Sequence, residues 1–299
     1  MSDLSASLKA LTRGDVANDS TSRSQLSVST YFADDLHRRE MELIFQHGPR
    51  YLGHELAVPN VGDFCALPQE GEGRALVRTA EGVELISNVC RHRQALMLRG
   101  RGHTKNNIVC PLHRWTYDLQ GKLLGAPLFD KDPCLNLQRY RTRTWNGMVF
   151  EDNGRDIAAE LGHVGPKADL DFSGYVLDKV HLHECNYNWK TFIEVYLEDY
   201  HVGPFHPGLG RFVSCDDLRW EFSRHHSVQT VGINDSLRQA GSPAYKRWHE
   251  AVLALGNGAP PKQGAIWLTY YPNIMVEWYP HVLVVSTLYP KGPQKTLNM

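Results

Sequence analysis

Long apolar runs are missing from this chain. Val282–Val285 is only four residues long, whereas a membrane-spanning helix needs about 20. Residues 1–30 are rich in Ser, Thr and Asp and hold no apolar segment of the signal-peptide kind. Charge of one sign is missing too: 32 Lys and Arg stand against 33 Asp and Glu. Nothing in that balance points to nucleic acid or an anionic membrane as partner. No internal repeat is visible. Cysteine is sparse, with six in 299 residues, far from the density of a secreted disulfide scaffold. These absences lead us to expect a soluble, cytoplasmic protein with two modest domains or one large one.

What is present divides the chain in two. Asp34 is expected to cap a helix running to about His47, which Gly48-Pro49 stops. From Tyr51 to about Glu151, short apolar runs alternate with turn signals such as Gly62-Asp63, Gly100-Arg101-Gly102, Gln120-Gly121 and Asn146-Gly147. That texture predicts an antiparallel domain of small strands and hairpins. Residues 152–176 read as a connection with a short helix, and Val180–Cys185 as a strand. An amphipathic helix is expected over Asn188–Val202, broken by Gly203-Pro204. A second is expected over Ser242–Leu255, with Pro243 in its first turn. Strands follow at Ala265–Tyr270, Ile274–Tyr279 and Val282–Leu288, with one more from Lys295.

Two constellations carry chemistry. The first is Cys90-Arg91-His92 followed by Cys110-Pro111-Leu112-His113. Two thiolates and two imidazoles suit a Rieske [2Fe–2S] centre, where two His replace two Cys on one iron. They also suit a structural zinc ion, and spacing alone leaves that open. The second is Glu198, His201 and His206. Glu198 and His201 are three apart and share a face if helical, and a break at Gly203-Pro204 would swing His206 to the same metal. Two His with a carboxylate is the facial arrangement of non-haem Fe(II) oxygenases. A helix end bearing two unrelated histidines is the plain alternative. Cys65, Cys134, Cys185 and Cys215 read as free thiols, and His181 and His183 as surface residues on one strand face. Trp220, Trp267, Tyr270, Trp278 and Tyr279 read either as sheet core or as pocket lining.

The stretch Asn88-Val89-Cys90-Arg91-His92-Arg93 resembles the first cluster loop of the large (alpha) subunits of Rieske non-haem iron, ring-hydroxylating oxygenases. The run Cys110 to Gly121 resembles the second. Asn188-Trp189-Lys190 and the run from Tyr200-His201 to His206-Pro207 resemble the opening and close of their catalytic segment. The resemblance covers about Tyr31 to Met299. It implies that Cys90, His92, Cys110 and His113 bind the cluster and that His201 and His206 bind the mononuclear iron. Glu198 would be the catalytic bridging carboxylate, linking an iron His to a cluster His, His113, of a neighbouring subunit. Asp199, adjacent, ranks second for that place. A Glu there is similar to the carnitine and choline monooxygenase branch.

Gln94 and Arg114 depart from the family pattern, standing where Gly is usual, and Val195 stands where Asn is frequent. The family's third iron ligand is an Asp on a long C-terminal helix, and no Asp follows Asp235. The catalytic domain is therefore expected to be truncated. Glu277 is expected to be a polar face of a cavity or of the surface rather than a substitute ligand.

The implied architecture is α+β. Residues 1–30 would form a polar arm and 31–49 the N-terminal helix of the catalytic domain. An antiparallel Rieske domain at 50–155 would be inserted in a helix-grip (START-like) catalytic domain at 156–299. The implied activity is that of a terminal oxygenase, a mono- or dioxygenase. Electrons would come from NAD(P)H through a separate reductase, in some systems with a ferredoxin. The reaction would hydroxylate, dihydroxylate or demethylate an aromatic or small amine substrate. The assembly would be a homotrimer, with or without a β subunit. The rival readings are a pure electron carrier and a truncated, inactive Rieske protein.

Overall fold

The strand Ala265–Tyr270 is buried at all six positions, which marks it as interior to a sheet covered on both faces. In the computed structural model, which describes residues 27–234 and 242–299, it lies within a seven-stranded antiparallel sheet. The strand order is His183–Cys185, Lys295–Asn298, Val282–Gly292, Ile274–Tyr279, Ala265–Tyr270, His226–Ile233 and Val213–Phe222. The sheet is thus a meander of neighbours, apart from His183–Cys185, which pairs with the last strand at its edge. Register puts Trp267 directly opposite Glu277. Met275, Glu277 and Tyr279 alternate onto the same face.

Residues 51–151 build smaller sheets. Five strands pair in the order Arg101–His103, Asp63–Ala66, Arg74–Arg78, Val83–Ser87 and Arg139–Tyr140. Three more, Asn107–Val109, Thr116–Asp118 and Leu123–Gly125, form a separate sheet. Tyr51–His54, Met148–Glu151 and Thr142–Trp145 form a third. This last sheet joins the halves. Its Tyr51, Trp145, Met148 and Phe150 share one core with Val228, Ile266, Leu268 and Tyr270 of the large sheet.

The helix before Tyr51 differs at its start. Ala33 occupies the cap, without a side-chain bond, and Asp34 and Asp35 lie inside the first turn. There they favour the positive end of the helix dipole. The element runs Asp34–Glu40 and continues as a π-helical turn over Met41–Phe45. The later helix Pro243–Leu255 forms as expected, with the Ser242 hydroxyl accepting the Tyr245 backbone N–H. Of the strand expected over 180–185, only His183–Cys185 pairs.

The expected helix over 188–202 is corrected. Regular helix covers Trp189–Tyr196 and closes when the Leu197 N–H reaches Ile193 O. Glu198 lies in the irregular stretch that follows and His201 in a turn beyond it. Gly203 and Pro204 do not break a helix but sit within a short new one, Val202–Phe205. Proline in a first helical turn forfeits no hydrogen bond. A further turn, Pro207–Gly210, follows His206.

The Asn188-Trp189-Lys190 run anchors this segment. The Asn188 side chain accepts the Lys190 N–H as a helix cap and donates to the carbonyls of Tyr31 and Pro293. The indole N–H of Trp189 donates to Glu40 at 2.9 Å, and the Lys190 ammonium reaches the other Glu40 oxygen at 2.6 Å. Phe45 packs edge-on against the Trp189 ring at 4.9 Å. Glu40 is 8% exposed, so its loss strands a buried indole N–H and a nearly buried ammonium. Glu40→Ala is expected to lower unfolding stability by about 3 kcal/mol, read from denaturant melts. A loss below about 1 kcal/mol would show the contact to be no stronger than a surface ion pair.

Candidate active site

The two Cys–His loops adopt the same backbone. In the first, the Gln94 N–H returns to Cys90 O and the Cys90 N–H goes to Ala95 O; in the second, Arg114 returns to Cys110 O and Cys110 goes to Trp115 O. Gln94 and Arg114, the two residues standing where Gly is usual, have φ of 56° and 62°. Both turns therefore demand the left-handed region, which a side-chain-bearing residue enters at a cost of roughly 1–2 kcal/mol. Asn88, fully buried, braces the first loop by bonding Glu72 O and both the N–H and the O of Leu98.

Cys90 and Cys110 are 1% and 2% exposed, while His92 is half-buried and His113 exposed. The His92 and His113 rings stand 4.7 Å apart at 75°. His92 stacks on Trp115 at 5.0 Å, and Phe129 closes edge-on against both. Nδ1 of His92 is buried without a hydrogen-bond partner. A buried ring nitrogen is ordinarily satisfied, so this lone pair fits a metal bond. The thiols inside and the imidazoles outside fit a cluster with one iron toward each pair. Behind them, the Arg91 N–H donates to the Tyr117 hydroxyl oxygen at 3.2 Å, which leaves the Tyr117 proton for Cys90 Sγ at 3.7 Å.

The second constellation lines a cavity of about 590 Å³, a size suited to a small molecule. The segment after Asn188 contributes Phe192, Val195, Tyr196, Glu198, His201, His206 and Leu209. The sheet contributes Trp267, Glu277 and Tyr279. The His201 and His206 rings lie 5.2 Å apart at 76°. Glu198 accepts the His201 backbone N–H at 3.2 Å on one oxygen and binds His201 Nδ1 with the other. A proton held on Nδ1 leaves Nε2 as the free lone pair, so the donor set fits an iron ion bound from the cavity side. Asp199 turns elsewhere. Burial pushes the Cys215 thiol up to about 11, helped by the Asp199 carboxylate, which accepts its hydrogen bond, and by Asp216. Among the described residues, no three His, Cys, Asp or Glu side chains converge as a ligand set for one ion.

Of the aromatic residues flagged from sequence, Trp267 and Tyr279 line the cavity. Tyr270 is core, and Trp220 stacks on exposed Phe222. His181 and His183 stack on one another at the surface, and Cys65, Cys134, Cys185 and Cys215 are free. Phe192 and Tyr196 were not foreseen as cavity walls. Their spacing of four on a helix, ring on ring, was the available signal. Among the described residues no helix is long and apolar enough to cross a membrane.

Comparison with known proteins defines the class. Residues 48–141 match the Rieske [2Fe–2S] domain and residues 171–298 the ring hydroxylating alpha subunit (catalytic domain). The chain belongs to the Rieske non-haem iron oxygenase alpha-subunit family; it is an oxidoreductase whose cofactors are a [2Fe–2S] cluster and a mononuclear iron. Within that family it is 62% identical to a putrescine 2-hydroxylase of Ralstonia nicotianae, over 93% of this chain and 76% of the relative. It is 56% identical to a putrescine 2-hydroxylase of Bordetella bronchiseptica, over 96% and 70%. A solved quaternary ammonium Rieske monooxygenase superposes with a TM-score of 0.64 at 20% identity, covering 90% of this chain and 73% of that one.

If Cys90 is a cluster ligand, as we propose below, the Tyr117 hydroxyl gives a direct handle on the cluster environment, because hydrogen bonds to the sulfur ligands raise the reduction potential. Tyr117→Phe is expected to lower that potential by on the order of 40 mV, one net hydrogen bond for one electron, with the visible spectrum retained. An unchanged potential in a redox titration would show that Tyr117 does not donate to Cys90.

Proposed function

We propose that this chain is the terminal oxygenase of a multicomponent system that hydroxylates a small aliphatic amine, with putrescine the leading substrate. The observation that carries the reading is the 62% identity to a putrescine 2-hydroxylase over nearly the whole chain. It is joined by a cavity holding both a His pair and carboxylates. A cytoplasmic, NAD(P)H-fed reductase would supply the electrons, directly or through a ferredoxin.

In this reading Cys90, Cys110, His92 and His113 hold the cluster, and His201 and His206 hold the iron. The bound groups supply electron storage and reductive O2 activation: one oxygen atom enters a C–H bond, the other leaves as water, and two electrons and two protons are consumed. The protein's own part is placement. Glu198 fixes the His201 ring and its tautomer, and the same carboxylate is suited to reach a cluster histidine across a subunit boundary. His113, exposed at its loop tip, is the histidine such a contact would use. A head-to-tail trimer would bring the two sites together. The monooxygenase used for the structural comparison is itself described with inter-subunit electron transfer. The cavity walls Phe192, Val195 and Leu209 offer apolar surface to methylene groups. The boundaries we assign are 50–155 for the Rieske domain and 156–299 for the catalytic domain with the helix at 31–49.

The test is product formation. Holoenzyme with reductase, NADH and putrescine is expected to yield an amine one oxygen atom heavier by mass spectrometry. His201→Ala is expected to lose turnover by more than about 1,000-fold while keeping the visible cluster absorption. Hydroxylation of aromatic compounds but of no amine would overturn the substrate assignment. Loss of the cluster spectrum in His201→Ala would overturn the division into two sites.

A further inference from the structure

The sheet wall of the cavity carries a carboxyl group, that of Glu277, which the oxygenation chemistry does not use. Glu277 sits in the strand Ile274–Tyr279, opposite Trp267 and two residues before Tyr279, so the three side chains share one face. They form a hydrogen-bonded relay. The Trp267 indole N–H donates to the Tyr279 hydroxyl oxygen at 3.1 Å, and that hydroxyl donates to Glu277 Oε2 at 2.9 Å. Trp267 has its only N–H committed and Tyr279 its only O–H. The carboxylate is thereby held in one place through Oε2, in the wall of the cavity that all three residues line, and Oε1 remains available to a ligand.

No cation among the described residues acts on Glu277. Burial pushes its carboxyl up from the ordinary glutamate range, and only the Tyr279 hydrogen bond opposes this. A carboxylate so placed is a cost to the folded protein unless something positive arrives. The cavity around it is otherwise mostly apolar and aromatic. Tyr196, against the same carboxylate, adds a ring face of the kind that attracts cations.

We propose that Glu277, positioned by Tyr279 and Trp267, is the anchor for a substrate ammonium group, so that the enzyme selects primary aliphatic amines by charge at the sheet wall. This rests on the amine-hydroxylase reading and extends it to a residue. One ammonium of the substrate binds Oε1 of Glu277. The methylene chain then lies along Phe192 and Leu209 and presents a C–H bond toward the His201/His206 side. Glu277 is a binding and specificity residue in this scheme and not an iron ligand.

The experiment is anaerobic calorimetry and steady-state kinetics on holoenzyme. Putrescine is the probe and 1,4-butanediol its uncharged counterpart. Glu277→Gln keeps size and shape and removes the charge. It is expected to weaken putrescine binding and raise KM by about 10- to 100-fold, the loss of one charge-assisted hydrogen bond, with kcat changed much less. Diol binding, iron content, sulfide content and Tm are expected to stay at wild-type values. Tyr279→Phe, which removes the hydrogen bond that positions the carboxylate and favours its charged form, is expected to weaken putrescine by a few-fold and provides the same reading if Glu277→Gln does not fold. Putrescine affinity unchanged in both variants overturns the proposal. So does an equal loss for putrescine and the diol, or a loss of iron in Glu277→Gln, which would make Glu277 a ligand. Failure of the wild-type enzyme to bind or turn over any amine would instead overturn the substrate class itself.

Discussion

A single buried carboxylate, Glu40, holds the indole of Trp189 and the ammonium of Lys190 at once, and the placing of the catalytic segment depends on that contact. The helix Trp189–Tyr196 is only eight residues long, too short to be stable by itself. It is fixed at its start by Glu40 and Asn188 and along its face by Met275 and Leu288 of the sheet. Everything downstream is suspended from it: the irregular stretch with Glu198, the ring of His201, and the two short helical turns around His206. An anchor some distance from the chemistry thus decides whether the two imidazoles meet at a usable separation.

The cavity that results has two polar poles and apolar walls. At one pole stand His201, whose tautomer Glu198 imposes by hydrogen bonding, and His206. At the other, Glu277 is held by tyrosine and tryptophan. If Glu277 holds an ammonium group as proposed, a linear cation with methylene groups suits this distribution, because charge at one end fixes which carbon comes near the histidines. The cluster loops show a different economy. Their thiols are buried and their imidazoles face outward, so if they hold the cluster as proposed, the electron-accepting side is also the side a partner subunit or protein can approach.

Much of this was legible in the sequence, for a physical reason. The residues proposed to hold the cluster form two pairs, with partners two and three residues apart on tight turns, so sequence spacing nearly fixes the geometry within each pair. The two positive-φ turns at Gln94 and Arg114 show why glycine is usual there. The small strands and the final meander follow from turn residues and alternation. The helix around Glu198 was not legible in its bounds. Helical periodicity continues past Tyr196, but the Glu198 carboxylate takes the His201 N–H and competes with the helical ladder. Pro204, read as a breaker, sits within the short helix Val202–Phe205 instead. The place of Glu277 in the cavity follows from strand alternation, yet its relay needs Trp267 from the neighbouring strand, and register across a sheet is not written in local sequence.

The central claim is that one chain carries two separate iron sites. Iron, zinc and acid-labile sulfide per chain, measured on anaerobically purified protein, test it most directly. The account predicts about three irons and two sulfides. Zinc without sulfide would contradict the cluster, and about two irons with two sulfides would contradict a mononuclear site built on His201 and His206.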